Sequence, residues 1–246
     1  MQSANPLNPQ MAEHIELQAE TWGPDFFWHQ VRWMAVNDHL PADRSFGLVD
    51  VGAGAGFAGE FLSADHPAAI YSFIEPAAEL EAKLEQRWGT EANRKGAASF
   101  DDSHFVCMLD VLEHIEDDQA FLDDLAKKMA PGDRLIILVP ALQSLWSQWD
   151  VSGGHFRRYD KSMIKALVTA LPFEIEEQAY LFPEMLPAAW LRAWRSSRGK
   201  HLGDFNAPPS IPPWANKALT GLGAVTVRLR RAVPRGTSLI AVLKRT

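Results

Sequence analysis

Residues 50–56 read Asp-Val-Gly-Ala-Gly-Ala-Gly, and they stand where an apolar run, Phe46–Val51, gives way to a helical pattern. Glycines at such a turn let the backbone approach a ligand closely and expose amide groups at a helix N-terminus. Gly54, Gly56 and Gly59 also satisfy the dinucleotide fingerprint G-x-G-x-x-G. Asp50, however, stands two residues before the first glycine, where a carboxylate repels a pyrophosphate and suits a ligand carrying ammonium and sulfonium charge. Glu75 closes the next apolar run, at a position from which an acid accepts hydrogen bonds from both ribose hydroxyls. Further along, His114 in Leu-Glu-His-Ile and His155 in Gly-His-Phe-Arg-Arg-Tyr are the two candidates for proton transfer. Arg157, Arg158 and Tyr159 could grip a carboxylate or phosphate. The plainer alternatives are that His114 is a neutral imidazole fixing a turn and that the two arginines pair with the acid-rich stretch Glu113–Asp118.

The elements that must position these residues are visible as patterns. Phe46–Val51, Ala69–Glu75, His104–Leu109 and Arg134–Val139 are short, largely apolar runs of the kind that form buried parallel strands. Between the last two, Phe121, Leu125 and Met129 recur at helical spacing within Asp117–Met129, with acids at its start and Lys127-Lys128 at its end. Strands alternating with helices predict a mostly parallel sheet covered on both faces. Residues 11–40 form a helical lead-in interrupted at Gly23-Pro24, in which Trp28 and Arg32 could close over a ligand. Phe173–Tyr180 and Ser238–Leu243 read as two further strands, separated by a Pro-, Trp- and Arg-rich insertion.

These motifs together resemble the class I S-adenosylmethionine-dependent methyltransferases. Val49–Gly56 is similar to their first motif, Phe73–Pro76 to the acidic tip of their second strand, Met108–Asp118 to the segment after their fourth strand and Pro131–Pro140 to their fifth. Trp146–Asp160 resembles a segment of one bacterial branch with a GHxRRY signature. The resemblance implies a Rossmann-like three-layer sandwich with a seven-stranded, mostly parallel sheet whose last strand runs antiparallel. It implies S-adenosylmethionine as cofactor and S-adenosylhomocysteine as product. Asp50, Gly52, Ala53, Gly54 and Glu75 would hold the cofactor, and Asp110 and Leu112 would line its methionine end. Ala53 and Ala55 replace residues that are often Cys and Thr in the family. The span from Glu75 to His104 is short, which leaves Asp101 and Asp102 as candidates for the adenine contact. In the same reading His155 and His114 are the catalytic candidates, and Arg157, Arg158 and Tyr159 the acceptor-binding ones. The alternatives are a non-catalytic binding module of this fold or a nicotinamide-dependent oxidoreductase.

At 246 residues and 47% hydrophobic composition, the chain suits one domain. The expected division is a lead-in (1–45), a cofactor-binding core (46–180), a lid or insertion (181–235) and a final strand (236–246). The single cysteine, Cys107, sits in an apolar run and excludes an internal disulfide. It has only His104 near it at a short spacing, so no metal is expected. No signal-peptide pattern opens the chain and no uncharged run spans a bilayer, which predicts a cytoplasmic protein. The net charge of −7 is uneven: residues 186–246 carry eleven Lys or Arg against one acid, Asp204. Subtracting that +10 leaves −17 on the preceding 185 residues. With Trp190, Leu191 and Trp194 on one side of a helical Pro187–Arg198, and a similar pattern in Trp214–Val233, the basic quarter suits an anionic or amphiphilic acceptor or peripheral contact with an anionic membrane. The expected partner is therefore a small-molecule or amphiphilic acceptor and not nucleic acid. The plainer alternative is that both apolar stripes pack on the domain itself.

Overall fold

A computed structural model describes residues 15, 20–42, 45–100, 102–199 and 211–246. Each predicted apolar run forms a strand: β1 (Gly47–Val51), β2 (Ile70–Ile74), β3 (Phe105–Leu109), β4 (Arg134–Pro140), β5 (Phe173–Leu181) and β6 (Ser238–Arg245). They assemble in the order β2-β1-β3-β4-β6-β5. The first four run parallel, and β6 lies antiparallel between β4 and β5, as expected of the last strand.

Alternation along the strands divides the core into two layers. Leu48, Phe105, Cys107, Ile136 and Leu138 face α1 (Phe27–Asn37) and α2 (Phe57–Asp65), while Val49, Val106, Met108, Leu135 and Ile137 face α4 (Asp118–Ala126) and α6 (Lys161–Val168). Because β1, β3 and β4 are covered on both sides, their runs are continuously apolar rather than alternating with polar residues.

The sheet has six strands among the described residues, one fewer than the resemblance implies. After α3 (Ala78–Trp88) and a 3₁₀ turn at Thr90–Ala92, the chain touches β2 only through a single parallel bridge, Phe73 to Asn93. The Arg94 amide still donates to the Phe73 carbonyl, but the Ala97 amide turns back onto the Arg94 carbonyl at 2.9 Å. That tight turn ends the pairing before a strand can grow.

The C-terminal part covers the sheet's carboxyl ends. α7 (Leu186–Ser196) follows β5, and α8 (Pro213–Leu229) lies along α1. Asn216 fastens the latter contact by accepting from the Phe27 amide at 2.8 Å and donating to the Asp25 carbonyl at 2.9 Å. Just beyond α8, buried Arg230 reaches Glu177 of β5 at 2.5 Å and Asp38 at 2.6 Å. One guanidinium thus ties the end of α8 to both the sheet and the end of α1.

Candidate active site

The carboxyl ends of β1, β3 and β4 open into a cavity of about 950 Å³, the size of a small-molecule site. At one end lies the glycine turn. Gly52, Gly54 and Gly56 all have positive φ, which favours glycine at each. A side chain at Gly52 would strike Val111, whereas a Cβ at Gly54 would meet, among the described residues, only Ile15 at 3.6 Å. The turn therefore presents bare backbone to the cavity. It is braced by Glu75, whose two oxygens accept from the Gly54 amide at 2.8 Å and the Ala77 amide at 2.9 Å. Burial pushes the Glu75 carboxyl upward in pKa, against the opposing pull of those two amides. Asp50 is also buried and accepts from the Tyr71 hydroxyl at 3.0 Å and the Cys107 thiol at 3.4 Å. Burial lifts its pKa to about 6 despite those bonds and the charge of Arg32.

Next to the turn, Asp110 ends β3 in a left-handed conformation, with φ at 57°. Its Oδ2 meets Arg32 of α1 at 3.1 Å, and its buried Oδ1 has no partner among the described residues. Trp28 lines the same wall and stacks on Phe182 at 4.2 Å between ring centres. His29 stands beside it against Phe57; burial, reinforced by Arg32, holds its imidazole down to about pKa 3.

The other end is polar in a different way. A 3₁₀ turn, Leu112–His114, points Glu113 and His114 into the cavity, the loop after α5 (Gln148–Ser152) supplies His155, and α5 itself places Asp150 behind that histidine. Asp150 is fully buried. One of its oxygens accepts from the Ser147 amide at 2.9 Å, closing a capping box, and the other meets His155 Nδ1 at 3.1 Å and Arg158 Nε at 2.7 Å. Burial pushes the Asp150 carboxyl up, but His155 and Arg158 outweigh it and hold it below the usual carboxylate range. An ionised carboxylate only accepts, so His155 Nδ1 is the donor in this bond. The His114 ring stands edge-on to His155 at 4.7 Å between centres. Burial, then the charge of His155, pulls His114 down to about pKa 4 against the hydrogen bond its ring donates to the Gly154 main chain.

Of the residues singled out from sequence, Asp50, Gly52, Ala53, Gly54, Asp110, His114, His155 and Arg158 line this one cavity. Four do not. Glu75 lies behind the turn it braces. Leu112 is buried in the core, and its carbonyl accepts from the Tyr159 hydroxyl at 3.2 Å. Tyr159 also donates to Asp118 at 2.9 Å, and Arg157 pairs with Asp118 at 2.6 Å and with the Glu116 carbonyl. Arg157 and Tyr159 thus hold the acid-rich stretch, which is the plainer of the two readings offered above. Arg158 does face the cavity, but its Nε is engaged by Asp150. Asp102 stands beside Gly47, at the opposite end of β1 from the glycine turn, and is no adenine contact; Asp101 lies outside the described residues.

Three charged residues at this end of the site escape the sequence reading, two lining the cavity and Asp150 behind His155. Glu113 adjoins His114, and Asp150 precedes His155 by five residues, so both had a signal in their proximity to a histidine already singled out. Arg192 is the third. Met185, Ala188, Ala189 and Arg192 recur at helical spacing along α7 and form its inner face, which brings this arginine into the cavity. It lies 5.2 Å from the Trp149 ring centre and has no ion pair among the described residues.

Residues 28–178, more than half of the chain, match the methyltransferase domain family. No curated protein matches the sequence. Among solved structures the chain is similar to one in a complex between the Haloferax volcanii Trm112 methyltransferase activator and a putative methyltransferase, with 13% identity, TM-score 0.59, and coverage of 99% of this chain and 97% of that one. It is similar to Haemonchus contortus phosphoethanolamine N-methyltransferase 2 in complex with phosphomonomethylethanolamine and S-adenosylhomocysteine, at 12% identity and TM-score 0.59, covering 95% of this chain and 57% of that one. A third is geranyl diphosphate C-methyltransferase from Streptomyces coelicolor A3(2) in complex with Mg2+, geranyl diphosphate and S-adenosylhomocysteine, at 10% identity and TM-score 0.53, covering 87% and 80%. At such identities these likenesses speak for the fold, and the family match speaks for the chain itself: it belongs to the methyltransferase domain family.

Proposed function

We propose that the protein is an S-adenosylmethionine-dependent methyltransferase whose acceptor is a small, amphiphilic or lipid-like molecule bearing an anionic group. The observation that carries this reading is the polarity of the cavity. Acids and bare backbone occupy one end, and Arg158 and Arg192 flank the histidines at the other. The unpartnered Oδ1 of Asp110 and the buried carboxylate of Asp50 suit the positive charges of the cofactor's methionine part, and the open space at Gly54 suits close approach of its backbone-contacting face. Glu75 keeps the glycine turn in shape through its bonds to the Gly54 and Ala77 amides. When bound, the cofactor supplies a methyl group activated on a sulfonium.

The chain's own contribution is alignment and proton handling. Arg192 attracts the acceptor's anionic group, and Trp28, Trp149 and α7 cover it from water. His155 is the principal catalytic candidate, with His114 beside it. With Nδ1 held by Asp150, Nε2 is the ring atom left to take the proton that an acceptor hydroxyl in the cavity has to lose. Label transfer tests the reading: protein incubated with methyl-labelled cofactor and with polar or lipid extracts should label a product in one extract. Cofactor binding without labelling of either fraction would favour a non-catalytic binding module.

Exposed apolar residues add a location. Trp190, Leu191 and Trp194 of α7 and Trp214, Leu222, Val225 and Leu229 of α8 face outward, with Trp214 76% exposed. Arg198 sits 3.8 Å over the Trp194 ring. Tryptophans beside arginines suit a headgroup boundary. No helix among the described residues is long and apolar enough to cross a membrane. A cytoplasmic protein that touches an anionic bilayer through α7 and α8 accounts for this surface.

A further inference from the structure

We infer that Glu113, His114 and His155 form a binding site for a divalent transition-metal ion, with an open coordination position directed into the cavity. One donor atom from each of the three lies within 4.8 Å of the others. Glu113 is fully buried, and apart from its own main-chain amide neither carboxylate oxygen meets a hydrogen-bond partner among the described residues. A buried carboxyl left in that state is costly, and such groups in folded proteins are paired or coordinate metals. Arg32 and Arg158 lie close enough to influence Glu113 electrostatically, yet neither hydrogen-bonds it: Arg32 pairs with Asp110 and Arg158 with Asp150.

The two imidazoles are prepared in the way ligands are. One nitrogen of His114 donates to the Gly154 main chain, and Nδ1 is left buried with no partner among the described residues. On His155, Nδ1 donates to the Asp150 carboxylate, which leaves Nε2 as the atom that can ligate an ion. This is the carboxylate–histidine arrangement that orients and strengthens metal ligands, with Arg158 in turn anchoring the carboxylate. Two imidazoles and one carboxylate with a vacant fourth position form the donor set of catalytic zinc sites. Bond lengths of about 2.0–2.2 Å place tetrahedral donors about 3.4 Å apart, so rotation of the Glu113 and His114 side chains has to draw the cluster in by about 1 Å.

This inference rests on the methyltransferase reading only for what takes the open position, an oxygen donor of the acceptor, whose proton the ion rather than His155 Nε2 would then make labile; ion binding itself stands apart from it. The test is calorimetric titration of chelator-stripped full-length protein with Zn2+, together with visible absorption on adding Co2+. One ion per chain at micromolar affinity or better is expected, with the Co2+ band of a four- or five-coordinate site. Glu113→Gln and His155→Gln should each weaken Zn2+ binding by about 10- to 100-fold, while His104→Gln, at the opposite end of the sheet beside Asp133, should bind as wild type. Folded wild type that takes up no stoichiometric ion, or Glu113→Gln and His155→Gln proteins that bind like wild type, would overturn the site. Titrating the same samples with S-adenosylhomocysteine separates the two ideas. Ion binding without S-adenosylhomocysteine binding supports the metal site and speaks against the methyltransferase reading. The reverse pattern overturns the site alone.

Discussion

At the glycine-turn end of the cavity, the working groups are main-chain amides and acids held by residues adjacent in the sheet: Asp50 by Tyr71 and Cys107, Glu75 by the amides of Gly54 and Ala77. At the other end they are side chains from segments far apart in the chain, a 3₁₀ turn after β3, the loop after α5, and α7, gathered around buried Asp150. The first end is rigid because the sheet makes it so. The second depends on a network of side-chain contacts, and a single substitution there can alter chemistry while leaving the first end intact.

The largest effect should come from His155. His155→Gln is expected to lower turnover by about 10²- to 10⁴-fold, the usual contribution of a positioned acid or base, with S-adenosylhomocysteine affinity unchanged. Loss of cofactor affinity in a folded His155→Gln protein would show that the two ends are not separable. Arg192→Gln should act more mildly, raising KM for an anionic acceptor by about tenfold, the value of one charge-assisted hydrogen bond, with little change in kcat. A fall in kcat alone would instead place Arg192 against the reacting atoms.

Outside the cavity, co-sedimentation with anionic vesicles should be measurable at low salt and fall at high salt, since each basic residue near the surface adds about 1 kcal/mol. Absence of binding at low salt would leave α7 as a cover for a soluble acceptor. The smallest expected effect concerns pH. His29 is held neutral by burial, with a folded pKa of about 3 against about 6.5 unfolded. Between those values the unfolded chain binds the extra proton, so stability falls as pH drops below 6.5, by up to about 1.4 kcal/mol per pH unit. His29→Gln should therefore lose less stability than wild type in urea unfolding between pH 7.5 and 5. Equal losses would mean that His29 is hydrated in the folded protein.

The contrast between the two ends also explains what the sequence reveals. The strands and the glycine turn are legible because continuous apolar runs and local spacing determine them, and the observed bounds of β1 to β4 fall within one residue of the predicted runs. The seventh strand is an expectation of the family resemblance with no apolar run behind it; Gly96-Ala97-Ala98-Ser99 offers no β-forming side chains, and the chain turns there. Arg157 and Arg158 are identical in type and adjacent, yet one secures Asp118 and the other lines the cavity and reaches Asp150. Nothing local distinguishes them, because the difference lies in which distant acid each finds. Arg192 is recognisable as lying off the tryptophan stripe of its helix, but that this side faces the cavity follows only from how α7 docks over the sheet.

Calorimetric titration of the wild-type protein with S-adenosylhomocysteine, alongside NADH, tests the central claim most directly. Micromolar binding of S-adenosylhomocysteine, roughly −8 kcal/mol, weakened about tenfold by Glu75→Gln, with no heat from NADH, is the predicted result. Silence toward S-adenosylhomocysteine with clear binding of NADH would contradict it.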